Sequence, residues 1–317
     1  MKKFLLYSIS FAALTVVVFS VITYVTDRGL QQSEFGNLKE WRDIFEGNIN
    51  ADIIVQGSSR AWVQYDTQIL DSVLNANSYN MGMDGSPFDV QYLKYKMYIH
   101  QNKAPKVIIQ NVDWDLMDKN VPVFQKYQFL PFMSDPVFEA ALLKNNFISK
   151  SDVYLPFLKY TGEPKAIQVG FSEFFGLQHF ATDKHKGFHA NEAEWNPHDF
   201  YMRKQMGEIG WKMNSELDMM FHEFLSDCKS RNIKVILVFA PCYHEFTKTL
   251  SNYNELKLYY ARFAKQYNIQ FLDYSLDNLS YNTRNFYNAT HLNKNGAEAF
   301  TIKLSNQLKK IQILKNE

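Results

Sequence analysis

The sequence predicts a three-layer α/β/α protein built on a five-stranded parallel sheet. Three observations carry that prediction. Short apolar runs with β-branched residues recur at Asp52–Gln56, Asn77–Met81, Lys106–Val112, Lys234–Ala240 and Ile269–Asp273. Long stretches with helical spacing separate them, which is the signature of parallel βαβ units. One run, Val235–Ala240, is apolar on both faces, as a central parallel strand must be. The 317 residues, 46% of them hydrophobic, suffice for one large core or for a core plus a sizeable insertion.

Taken in order, the chain opens with Lys2 and Lys3 and then an uncharged stretch from Phe4 to Val25. At about 1.5 Å per residue that stretch is about 33 Å long, enough for the hydrocarbon core of a bilayer. No small-residue cleavage pattern follows it, and no Cys that would indicate lipoprotein processing. Residues 1–30 therefore read as an uncleaved membrane anchor. The two lysines favour a cytoplasmic N-terminus and an exported body on the periplasmic or extracytoplasmic side. Residues 31–317 form the α/β domain, beginning with a polar helical stalk from Gln31 to Gly47.

Helical patterns support the alternation. Leu217, Met220, Phe221, Phe224 and Leu225 recur on one face before the fourth run, and Ala297, Phe300, Leu304, Leu308 and Ile311 do so near the C-terminus. Between about residues 119 and 199 no strand–helix pair is legible, and Phe, Tyr, Pro and His are frequent. So long a featureless loop is rare in a compact domain. This region reads as an insertion with short helices over the sheet's edge, either a lid or a partner-binding face.

The formal charge of +1, with Lys and Arg scattered, argues against a nucleic-acid partner. Aromatics make up 16% of the chain; most read as core, with an aromatic cleft or a surface near a membrane or sugar polymer as the sharper alternative. The only cysteines, Cys228 and Cys242, fall at opposite ends of the fourth strand. They are then roughly 20 Å apart and expected as free thiols.

Open parallel sheets bind ligands at the carboxyl ends of their strands. Gly57-Ser58-Ser59-Arg60 follows the first run, Gly82-Met83-Asp84-Gly85 the second, and Asn111-Val112-Asp113-Trp114 ends the third. The fourth leads into Pro241-Cys242-Tyr243-His244, and Asn288-Ala289-Thr290-His291 precedes the last helix. A nucleophile, possible oxyanion donors and a base thus fall on one edge.

In these blocks the sequence resembles the SGNH/GDSL hydrolase superfamily. Gly57-Ser58-Ser59 stands for the G-D-S block, Gly82 for the glycine block, Asn111 for the asparagine block and Asn288-Ala289-Thr290-His291 for D-x-x-H. The anchor, the G-S-S form and the ending H-L-N-x-x-G are most similar to the DltD-type and AlgJ-type proteins. The resemblance covers roughly residues 50–115 and 230–310. It implies a flavodoxin-like fold, Ser59 as nucleophile and His291 as base, with Asn288 at the acid position. Ser59, Gly82 and Asn111 become the oxyanion donors. The acid position holds Asn rather than Asp, and the third block is degenerate.

Each assignment has a plainer alternative. Gly-Ser-Ser after a strand can be a turn with a helix cap, and the placing of His291 weighs against that. Gly82 can simply permit a tight turn. His291 alone can be a surface histidine, and Arg60 is expected to pair with a neighbouring carboxylate. His244 is a reserve base. His179, His185, His189 and His198 lack the spacing of a metal site, so neither metal nor cofactor is expected. The sequon at Asn288 is discounted on the bacterial resemblance.

The leading expectation is an exported esterase or O-acyltransferase. It would act on an acylated envelope polysaccharide or an acyl donor, with a membrane-bound O-acyltransferase as possible partner. The competing one is a catalytically weak or inactive scaffold that binds such a membrane protein or a glycan. A metal hydrolase built on the insertion histidines stands third.

Overall fold

The computed structural model describes residues 1–119 and 125–314, so residues 120–124 of the expected insertion and residues 315–317 lie outside the described residues. The chain divides into two compact units, Met1–Glu46 with Gln125–Thr182, and Gly47–Phe124 with Asp183–Glu317.

In the second unit the apolar runs become five strands: β1 (Ile53–Gln56), β2 (Ser78–Asn80), β3 (Val107–Asn111), β4 (Lys234–Phe239) and β5 (Gln270–Asp273). All pair in parallel, in the order β2-β1-β3-β4-β5. Alternation along each strand decides which layer a side chain joins. Ile53, Val55, Val107, Ile109, Ile236 and Val238 pack with Tyr65 and Leu70, and with Ala297, Phe300, Leu304 and Leu308 of the last helix (Lys294–Lys310). The opposite layer holds the helices Phe88–Gln101, Ser215–Ser230 and Tyr253–Tyr267. Its aromatic core joins Phe88, Tyr95, Phe221, Phe224 and Phe263, with Phe88 and Phe221 crossing edge-to-face at 4.9 Å. Part of the abundant Phe and Tyr goes into this core. The strand order reverses direction between β1 and β3, so a crevice opens where those two strands end.

The first unit is built on the helix Lys2–Gln32. Its apolar residues from Phe4 onward stand exposed, whereas Thr23, Val25, Thr26, Gly29 and Leu30 are buried. Gly29 meets Gly170 of the helix Pro164–Phe174 so closely that an added Cβ would lie 1.8 Å from the Gly170 carbonyl oxygen. The expected polar stalk is not one. Leu38–Phe45 is a helix whose Leu38, Trp41 and Ile44 are fully buried, Trp41 against Phe129 and Phe138. Of its charged residues, Lys39, Arg42 and Asp43 are only partly buried while Glu40 is buried, and the net polarity of the stretch hid an amphipathic face. Cys228 and Cys242 are free and buried.

Candidate active site

β1 ends at Gln56, and Gly57 turns the chain into a short helix, Ser59–Gln64. A Cβ at Gly57 would sit 2.6 Å from Ala61 Cβ and 2.8 Å from Asn111 Cβ, so only glycine lets strand and helix approach this closely. Ser58 is the N-cap: its Oγ accepts the Arg60 N–H and donates to Asp113 Oδ2 at 2.6 Å. Ser59, one residue on, is half-buried, and its Oγ lies 2.7 Å from His291 Nε2. Of the two adjacent serines, the structure thus buries one as a cap and gives the other to the imidazole.

The loop before the last helix supplies His291. Asn288 Oδ1 accepts the backbone N–H groups of Thr290 and His291, both at 3.0 Å, and the Thr290 hydroxyl at 3.1 Å. Two backbone donors admit only an acceptor, which fixes the orientation of this amide with its oxygen toward the loop. The same oxygen stands 3.0 Å from His291 Nδ1, and Thr290 Oγ1 stands 2.9 Å from it. Both face the ring as acceptors, so Nδ1 carries the hydrogen and Nε2 is left with a lone pair for the Ser59 hydroxyl. Tyr287 stacks on the ring at 5.3 Å. Removal from water and the nearby Arg60 cation push the imidazole well below its ordinary pKa, which keeps it neutral.

Beneath this pair lies a buried charge network. Arg60 and Asp113 form an ion pair with side chains 2% and 0% exposed, which satisfies the expectation that Arg60 meets a neighbouring carboxylate. The guanidinium also donates to the carbonyls of Ala240, Pro241 and Thr290, and lies over the rings of Trp114 and Phe239. One cation thereby ties the turn after β1 to the ends of β3 and β4 and to the base loop.

The expected oxyanion donors fare differently. Among the described residues, the Ser59 N–H at the helix start has no partner and stays available. The Gly82 N–H donates to Asn80 Oδ1 at 2.8 Å, and a Cβ at Gly82 would lie 2.3 Å from Trp62 N, so this glycine serves close packing. Asn111 is fully buried; its Oδ1 accepts from Tyr65 and its Nδ2 donates to Asp113 at 2.8 Å. His244 stacks on Tyr281, and His189 stacks on Trp62 while facing Asp183 at 3.2 Å. Asp273 pairs with Lys257 and Ser275. Sequence reasoning missed Thr290 and Asn80. A hydroxyl beside the base and a carboxamide two residues before the glycine were both visible, but nothing in their spacing marks them.

The solved structures that the chain resembles include proteins assigned to the G-D-S-L family. No protein-family profile and no curated protein sequence matches the chain. A protein assigned to the G-D-S-L lipolytic family from Desulfitobacterium hafniense is similar at TM-score 0.39 and 13% identity, over 80% of this chain and 97% of that one. A GDSL-like lipase from Bacteroides thetaiotaomicron is similar at TM-score 0.35 and 12% identity, over 80% and 87%. A carbohydrate acetylesterase family member from Sinorhizobium meliloti is similar at TM-score 0.34 and 10% identity, over 82% and 97%. These likenesses are loose, and the chemistry rests on the distances within the site.

Proposed function

We propose that the protein is a membrane-anchored, exported esterase or O-acyltransferase that works through an acyl-Ser59 intermediate. The observation that carries this reading is the 2.7 Å contact between Ser59 Oγ and His291 Nε2, with Nδ1 held by neutral acceptors. In the first step Ser59 Oγ attacks an ester carbonyl while Nε2 takes the hydroxyl proton. The Ser59 N–H meets the developing oxyanion. The carbonyl re-forms, the alcohol leaves with the proton from the imidazolium, and the acyl group stays on Ser59. Water or an acceptor hydroxyl then attacks the acyl-enzyme while Nε2 takes its proton; the bond to Ser59 Oγ breaks, the imidazolium returns the proton to Oγ, and the acid or the new ester leaves.

For substrate we favour an acylated cell-envelope polysaccharide, as in the DltD-type and AlgJ-type proteins, with a membrane-bound O-acyltransferase as the supplier or receiver of the acyl group. A fluorophosphonate probe tests the centre. Labelling that survives Ser58→Ala and is lost in Ser59→Ala supports it; no labelling of the natural protein sinks it.

A second reading has its own support. With the Gly82 N–H turned to Asn80, the Asn111 carboxamide engaged and an uncharged residue at 288, a weak or inactive scaffold that binds a membrane protein or glycan fits the same site. Failure of the probe to label Ser59 favours this one.

A further inference from the structure

We propose that Tyr24, Leu155, Leu158, Phe174 and Phe175 form a collar around the exit of the helix Lys2–Gln32, and that this collar sits in the lipid headgroup layer of the membrane. The proposal rests on reading that helix as an uncleaved anchor.

The helix enters its unit without a linker. The apolar stretch ends at Val25, and burial begins at Thr23. Asp27 binds Lys159 Nζ at 2.8 Å and the Tyr160 hydroxyl. Gly29 and Thr26 meet Gly170 backbone to backbone, where a Cβ on Gly170 would lie 2.7 Å from Thr26 O. A discarded signal sequence would take away the partners of Lys159, Tyr160 and Gly170, so this packing favours retention.

Depth follows from helix geometry. Asp27 and Gly29 lie about 3 Å and about 6 Å beyond Val25 along the helix axis. The headgroup layer adds about 5–7 Å to each side of the hydrocarbon core. Whatever packs at Asp27 and Gly29 is therefore at headgroup level. The segments that do so present apolar side chains outward. Leu158 immediately precedes Lys159 and Leu155 stands just upstream of it, and Phe174 and Phe175 follow Gly170 by about one turn; Phe175 is 58% exposed. Tyr24, 57% exposed, stands on the helix itself with the Arg28 guanidinium 5.6 Å over its ring. Single exposed apolar residues need no explanation, but four on the segments that clasp a membrane helix, with a fifth on the helix itself, do. Aromatic rings with a neighbouring cation suit the boundary where acyl chains meet phosphates.

The test uses the full-length chain reconstituted in phosphatidylcholine vesicles. Because Cys228 and Cys242 are buried, a polarity-sensitive fluorophore can be placed at Phe175→Cys, at Leu155→Cys and, as a control, at the exposed Tyr201→Cys. Lipids carrying a nitroxide near the headgroup should quench the first two labels and blue-shift their emission, and leave the control unchanged. Co-flotation with vesicles but equal quenching at all three positions overturns the collar while sparing the anchor. Loss of co-flotation overturns both. A shift that grows with protein concentration, without quenching by lipid, overturns the collar in favour of a contact between copies.

Discussion

At the carboxyl edge of the sheet, two neighbouring regions handle charge in opposite ways. Where β3 ends, the Asp113 carboxylate is fully buried and surrounded by donors: Arg60, the Ser58 hydroxyl and the Asn111 amide. Where the base loop approaches, the residue that orients His291 is a neutral amide, Asn288. That carboxylate therefore ties the turn after β1 to the end of β3, and its hydrogen bonds go to Arg60, Ser58 and Asn111 rather than to His291. The difference separates two tasks that one carboxylate performs in a serine triad, orienting the imidazole and stabilising its charged form. Asn288 performs the first, because two backbone N–H groups keep its oxygen toward Nδ1. It has no charge for the second.

The buried side should show the larger effect when broken. Asp113→Asn leaves the Arg60 cation uncompensated in the interior, which typically costs about 3–5 kcal/mol. Urea unfolding of the detergent-solubilised protein should show that loss as a lower midpoint at unchanged slope. A loss under about 1 kcal/mol would mean that the pair is not structural and that the contrast fails.

On the base side, Asn288→Asp should raise kcat/KM for a small acetyl ester by about 10- to 1,000-fold, since it adds the missing charge to a geometry that is already set. The pH profile carries the sign. In the natural protein the imidazole is pushed down to about 3, so it stays neutral as pH falls through 6.5, and the rate should not drop there. A carboxylate at 288 stabilises the imidazolium and raises its pKa, which moves the acid limb up into the range between pH 5 and pH 9. A variant with no rate gain and no moved limb would argue for the scaffold reading.

How far the sequence reached follows the same divide. The inner strands β1, β3 and β4 were legible because parallel strands buried on both faces are largely apolar, as in Val235–Ala240, whereas the edge strands β2 and β5 are not, and the strand–helix alternation placed them. That Ser59 and His291 meet was legible because strand-end position and order place them on one edge. Arg60 was legible as a cation seeking a carboxylate. The fates of Gly82 and Asn111 were not. Whether an N–H points into the crevice or to Asn80 Oδ1 depends on the local turn after β2, and no pattern of residue types encodes it. The stretch Gln31–Gly47 misled for a simpler reason. Eight helical residues with four apolar positions carry too little periodicity to stand out from their charged neighbours, yet three of the four, Leu38, Trp41 and Ile44, are fully buried.

The smallest expected effect divides the base side itself. Thr290 Oγ1 lies 2.9 Å from His291 Nδ1 and 3.1 Å from Asn288 Oδ1. Its hydroxyl hydrogen can go to Asn288, which leaves an oxygen lone pair for the Nδ1–H. Thr290 is then a positioning residue that acts through His291: it shares the ring hydrogen with Asn288 and helps to keep the proton off Nε2. Thr290→Val keeps shape and branching but removes this acceptor. One hydrogen bond of this kind is worth about 0.5–1.5 kcal/mol net, or about 2- to 12-fold in kcat/KM. The loss should appear in kcat more than in KM, since the hydroxyl faces the base and not the substrate. Thr290→Ser should restore the rate, because it returns the oxygen without the methyl group. In the Asn288→Asp background the same Thr290→Val change should matter less, as a carboxylate alone suffices to hold the ring. Equal losses in both backgrounds, unrelieved by serine, would show that Thr290 only packs the loop and that Asn288 orients the base unaided.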